Sequence, residues 1–323
     1  FFFPVSITSV DQNWHEPNFH QFNLTVQKQL GETYMIEVGY FGNLGRDLRT
    51  QVDINEPVFI PGQSTPSNVQ SRRPIFPEFY GQIARNINQD FTDYHSMQIA
   101  VKKRFSSGLS FDASYVLSKS TDLGSGLPVS NYQWDLEHGR SSLDRRHRFI
   151  ASFIVEPMWA RNLSGVARYI LDGWQASGIL EFQSGAPLNI TAGRDINLNG
   201  TNTDRPHLNG DPKLDPNRSR AEVANRWFDT SVFSQPATGE FGTAGRNILD
   251  GPGFKGLDLG LSRNFRFHGQ RLQFRGELFN AFNWVNLNAP NTNASAGNFG
   301  RILTAGSPRV IQLGLKLFLN SEE

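Results

Sequence analysis

The chain has 323 residues, no cysteine, and 31 Lys and Arg against 30 Asp and Glu, a formal net charge of +1. Near-neutrality removes the basic field that nucleic-acid binding requires, and the lack of cysteine excludes disulfides and thiolate metal sites. Mean hydropathy is -0.43, and no run approaches the roughly 18 apolar residues of a spanning helix; that excludes a helical membrane protein but not a transmembrane barrel, whose strands alternate apolar and polar residues.

The opening Phe1-Phe2-Phe3-Pro4 has no initiator Met and none of the basic and apolar stretches of a signal peptide, so the sequence reads as a fragment. Period-two alternation then recurs along the chain. Phe22, Leu24 and Val26, a turn at Gly31-Glu32, and Ile36, Val38 and Tyr40 predict a hairpin. Met97, Ile99, Val101 and Phe105, a turn at Ser106-Ser107-Gly108, and Phe111, Ala113, Tyr115 and Leu117 predict a second. Phe149, Ala151, Phe153 and Val155 lead through a link around Pro157 to Ser164 into Trp174, Ala176, Gly178, Leu180 and Phe182. Leu257, Leu259 and Leu261 turn at His268-Gly269-Gln270 into Leu272, Phe274, Gly276 and Leu278, and the last strand carries Ile311, Leu313, Leu315, Leu317 and Leu319. About nine strands result, with one short helix expected around Arg220 to Trp227.

The tight turns alternate with long connections rich in Gly, Asn, Pro and Asp: Arg46 to Phe91, Ser118 to Arg146, Gly185 to Gly253, and Asn286 to Gly306. Short turns at one rim and long loops at the other describe an antiparallel outer-membrane barrel with periplasmic turns and extracellular loops. Tyr40, Phe41, Phe105, Trp174, Phe182, Phe265, Phe267, Phe282 and Trp284 sit at strand ends, as girdles at the headgroup level would; aromatic preference for strands is the plainer account. This all-β reading places the chain in the bacterial outer membrane against lipid and lipopolysaccharide, with residues 1–319 in a partial barrel and 320–323 as a tail.

Arg309-Val310-Ile311-Gln312-Leu313-Gly314-Leu315-Lys316-Leu317-Phe318-Leu319 resembles the closing strand of outer-membrane proteins, a signal to the barrel-assembly machinery, although Leu319 stands where Phe is usual. Leu143-Asp144-Arg145-Arg146-His147-Arg148-Phe149, Leu171-Asp172-Gly173-Trp174-Gln175-Ala176-Ser177-Gly178, Gln183-Ser184-Gly185-Ala186-Pro187-Leu188 and Glu277-Leu278-Phe279-Asn280-Ala281-Phe282-Asn283 resemble the C-terminal barrel of Oar-like TonB-dependent receptors, from about Asn88 onward. The resemblance implies a barrel of about 22 strands, of which this chain holds the last nine or so. It also implies uptake of a large solute driven by the TonB complex through N-terminal regions (a carboxypeptidase-regulatory-like domain, a plug and a TonB box) that this sequence does not contain.

Candidate site residues follow from side-chain chemistry. Asp195, Asn197, Asn199 and Asp204 set oxygens at alternating positions around Gly200, as in the first half of an EF-hand loop, so calcium is a candidate cofactor. Pro206 stands where that loop has its bidentate Glu, and a metal-free surface loop is the alternative. Arg145, Arg146 and Arg148 could clamp phosphate or lipopolysaccharide, or pair within the wall with Asp144 and Glu137 as counter-charges. Tyr132, Trp134 and Trp227 offer aromatic surface to a solute such as an oligosaccharide or peptide. Glu37, Gln98, Asp112, Gln175, Glu181, Asp258, Arg275, Glu277 and Lys316 fall on the polar strand face and would line the lumen. The seven His residues are scattered, and Ser125 between Gly124 and Gly126 lacks a nucleophile's strand-turn-helix setting, so no enzyme is read here. Two other readings stay open: a passive porin-like or adhesive barrel, and a soluble glycan-binding β-sandwich.

Overall fold

Segments that alternate apolar and polar side chains present one oily and one wet face, and they satisfy their backbones by pairing edge to edge. A computed structural model describes residues 3–124, 126–131, 133–267 and 270–319. Its main strands are β1 (Val5–Val10), β2 (Asn18–Leu30), β3 (Tyr34–Asp53), β4 (Tyr80–Ser106), β5 (Leu109–Asp122), β6 (His147–Val155), β7 (Trp174–Gln183), β8 (Phe254–Phe267), β9 (Gln270–Phe279) and β10 (Val310–Phe318). One sheet runs β10-β9-β8-β7-β6-β5-β4-β3-β2 with sequential neighbours antiparallel, matching the nine expected strands. Within these residues the sheet does not close on itself.

Register carries the apolar face across the wall. Leu259, Leu278 and Ile311 lie side by side, as do Val101, Ala113, Ala151, Leu180 and Leu257. Among the described residues no second sheet covers this face: Leu313 is 70% and Leu315 71% exposed. A sandwich would bury them, so the soluble β-sandwich reading falls. Rings gather near both ends of the band, with Phe149, Phe182, Trp284 and Phe282 in successive contact at 5.1–6.3 Å on the long-loop side, and Trp174 against Phe274 at 6.1 Å on the other. Phe41 departs from the girdle expectation, because its register with Ser96 puts it on the polar face. The side chain of Phe267 and the turn at His268-Gly269 lie outside the description.

Three further features differ from the sequence reading. Strands β3 and β4 run to 20 and 27 residues, extending past a register shift near Gly45 and Leu48 into what reads as loop. Strand β1, not anticipated, pairs parallel to this extension of β4. The link after β6 is longer than expected, because the turn Met158–Asn162 leads into a helix, α1 (Gly165–Leu171). Arg263, opposite Trp174 and Phe274 on the apolar face, donates to the Tyr169 and Ile170 carbonyls at the end of α1 and lies over the Tyr169, Trp174 and Phe265 rings. A cation on a lipid-facing wall needs such partners. The contact pins α1 outside the short-turn rim, where Val166 and Tyr169 are 74% and 71% exposed.

The long connections, 54–79, 123–146, 184–253 and 280–309, are not structureless. They interlock into a lobe around Leu188, Ile190, Phe228 and Leu249, with Trp227, Phe233, Ile248 and Phe299 packed against them. Two short pairings brace it, His207–Leu208 with Phe233–Ser234 and Pro187–Leu188 with Leu249–Asp250. The expected short helix is α2 (Arg220–Asn225), started by a reciprocal cap between Ser219 and Glu222.

Candidate functional site

Two surfaces carry the polar chemistry: the inner face of the wall and the lobe above it. Alternation forces Lys102, Asp112, Gln175, Asp258, Arg275 and Glu277 onto one face, where they line a groove of about 820 Å³. Neighbouring charges there pair: Lys102 with Asp112 at 3.1 Å, Arg148 with Glu181 at 3.3 Å, and Arg275 with Glu277 two residues along the strand. These pairs are half-exposed or more on at least one side, so each stabilises weakly and leaves hydrogen-bonding capacity toward the groove.

The three clamp candidates take separate partners. Arg148 faces the inner wall, Arg145 donates to the carbonyls of Ser142 and Asp144, and Arg146 reaches Ser118 O at 3.4 Å. Asp144 is buried against Arg140 at 2.9 Å and accepts from Ser120 N. Trp134 is half-buried in the turn Trp134–Leu136. Tyr132 lies outside the described residues, as does Ser125.

What holds the lobe together was not legible beforehand. Glu137 pairs with Arg205, both nearly sealed from solvent at 8% and 3% side-chain exposure. Arg246 reaches Asp122 and the carbonyls of Glu137 and Gly139, while Arg73 pairs with buried Asp53 at 2.8 Å. Arg72 donates to Leu198 O, joining two loops 126 residues apart in sequence. Glu137 reads in the sequence as a counter-charge, but its partner lies 68 residues away, beyond any local pattern.

The Asp195 loop sits where three of these connections meet. Asp195 accepts from Asn199 N and Gly200 N, Asn197 Oδ1 accepts from Asn199 N, and Asn199 Oδ1 accepts from Thr201. Asp204 Oδ2 accepts from the backbone N–H of Ile196 and Asn197. Burial pushes the Asp204 carboxyl up to about 6, partly offset by those two hydrogen bonds, and burial also raises Asp195 and Glu56.

A search of curated proteins returns no match. Among solved structures, the outer membrane transporter YddB of Escherichia coli is 11% identical with a TM-score of 0.52, covering 98% of this chain and 34% of its own. The FrpB iron transporter of Neisseria meningitidis is 12% identical with a TM-score of 0.46, covering 96% of this chain and 33% of its own. The first likeness is one of fold and the second is too loose to argue from; this chain spans about a third of either transporter. A family model described as an outer membrane beta barrel domain matches residues 1–312, which together with the uncovered apolar band shows that the chain belongs to that family and resides in the outer membrane.

Proposed function

We propose that this chain is the C-terminal part of an Oar-like TonB-dependent receptor that takes up a large solute, an oligosaccharide, peptide or chelate. The observation that carries the reading is the combination of an open nine-strand wall with a folded lobe over its long-loop rim. Among the described residues strands β2 and β10 leave their outer edges unpaired, which a bilayer does not tolerate, so further strands complete the barrel in this reading. A barrel of about 22 strands, the number the resemblance implies, needs a plug, and the charged inner face supplies contacts for one. In this reading residues 1–319 are wall and lobe, residues 320–323 a tail, and the chemistry is binding and passage rather than catalysis. Partners are the TonB complex, acting through N-terminal regions, the barrel-assembly machinery at β10, and lipopolysaccharide around the rim.

The test is uptake in the native diderm host. Cells expressing the full-length protein, with its product recovered heat-modifiable from the outer membrane, are compared with and without TonB for import of candidate glycans and peptides. Import that stops without TonB supports the receptor; import that continues unchanged favours the passive porin.

A further inference from the structure

We propose that the loop from Asp195 to Asp204 binds one calcium ion, through side-chain oxygens of Asp195, Asn197, Asn199 and Asp204. The inference stands on the lobe's geometry and does not depend on the transport reading.

Asp195 Oδ1 and Asn197 Oδ1 both lie 3.0 Å from the same Asn199 N–H, so two oxygens from alternate positions converge at the loop's turn. Gly200 sits at the sixth position with φ of +85°, the left-handed turn that an EF-hand-type loop needs there. Asp195 Oδ1 and Asn197 Oδ1 each keep a lone pair beyond this N–H, which is what a hard cation requires, and Asn199 Oδ1 gains one when the Thr201 hydroxyl that it also accepts from rotates away.

The decisive observation is Asp204. The residue is 2% exposed, and its carboxylate is inserted into the loop, with Oδ2 held by the Ile196 and Asn197 N–H groups. Its other oxygen, Oδ1, is buried with no hydrogen-bond partner among the described residues. A buried carboxylate oxygen without a donor is a costly arrangement that a cation relieves. The position suits the chemistry, since the twelfth residue of the loop is Pro206 and the acid must come from elsewhere.

Charge around the loop leaves room for a divalent ion. Asp195 and Asp204 lie close enough to act on each other electrostatically, while Glu56, which accepts from Asn199 Nδ2 at 3.4 Å, stands at the loop's edge toward Asp53 and Arg73 and is not counted as a ligand. Of the neighbouring cations, Arg205 is committed to Glu137 and Arg73 to Asp53, which leaves Arg72 facing Asp195. Bound calcium would also tie loops together, because Asn197 and Asn199 both donate to Val129 O, at 2.9 and 3.0 Å, in the connection 123–146.

The experiment uses the full-length protein, purified in detergent, freed of lipopolysaccharide and stripped with EGTA. Calcium-45 equilibrium dialysis is run beside limited proteolysis of the 184–253 connection. One calcium per chain with half-saturation of about 0.1–1 mM, the range of extracellular modules, is expected, with slower cleavage when calcium is bound. D204N should lose at least tenfold in calcium affinity while resisting protease without calcium, since it removes the buried charge. D195N serves as the second variant, with heat-modifiability of both confirming a folded barrel. Absence of bound calcium in the wild type, equal protection by magnesium, or calcium binding undiminished in both variants overturns the proposal.

Discussion

Replacing Arg205 by Ala isolates one of the sealed polar ties in the lobe. The guanidinium lies 3.2 and 3.3 Å from the two Glu137 oxygens and donates to Leu136 O, all within a site almost closed to water. Removing it leaves the buried Glu137 side chain with the Val129 N–H as its remaining donor among the described residues. Breaking a buried pair from one side costs about 3–5 kcal/mol, because the orphaned charge keeps its desolvation penalty. At about 1.4 kcal/mol per factor of ten, the lobe's opening equilibrium should rise by roughly two to three and a half orders of magnitude. Where opening and reclosing are fast relative to cleavage, the protease rate follows that equilibrium. Trypsin added to intact cells, with cleavage within 184–253 followed by blotting, reads it directly. The double variant R205M/E137L, which removes both charges and keeps the volume, should recover most of the loss. R226A, which breaks the exposed pair with Asp229, should change cleavage by less than about fivefold. An R205A rate within threefold of wild type would refute the argument that this pair holds the loops together.

Leu315→Arg places a charge in the middle of the lipid-facing band and should cost about 2–4 kcal/mol, seen as loss of the heat-modifiable form, whereas Gln312→Arg on the polar face of the same strand should fold normally. Gly242→Ala should disrupt the lobe, since the added Cβ would sit 1.9 Å from Arg205 O; a variant as protease-resistant as wild type would contradict the close approach. A nitroxide at Val166→Cys, clean because the chain has no cysteine, should be relaxed more by oxygen than by a water-soluble nickel chelate, placing α1 in the membrane interface. Equal water access at Val166→Cys and at Lys213→Cys, in the lobe, would count against it.

The wall was legible because its physics is local. Leu257 through Leu261 or Ile311 through Leu317 reveal both strand and face through alternation alone, and tight turns fix which strands are neighbours. Past Gly45 on β3 and before Phe91 on β4 the alternation fails. Above the membrane both faces meet water or other loops, so pairing there is held by backbone hydrogen bonds without an apolar signature. Helix α1 was hidden for a related reason: its seven residues make fewer than two turns, too short for a repeating apolar pattern, and what holds it is Arg263, 93 residues away from Ile170. The Asp195 loop was visible as a pattern because its oxygens alternate within ten residues, but nothing in that pattern said Asp204 would be sealed inside it.

The position of the core follows from the same physics. Lipid covers one face of the wall and the groove side stays polar, so neither face has to exclude water by packing against another layer of this chain. The lobe has no bilayer to lean on, and most of the largest fully buried side chains, among them Ile190, Leu198, Phe228 and Asp204, lie within it. Two stabilities should therefore separate in one molecule. R205A should open the lobe while the barrel still runs heat-modifiably, and Leu315→Arg should impair the barrel through the lipid face without touching a lobe contact. If instead R205A abolished the heat-modifiable form, lobe and wall would be one cooperative unit, and the loops would have to be counted as part of what folds the barrel.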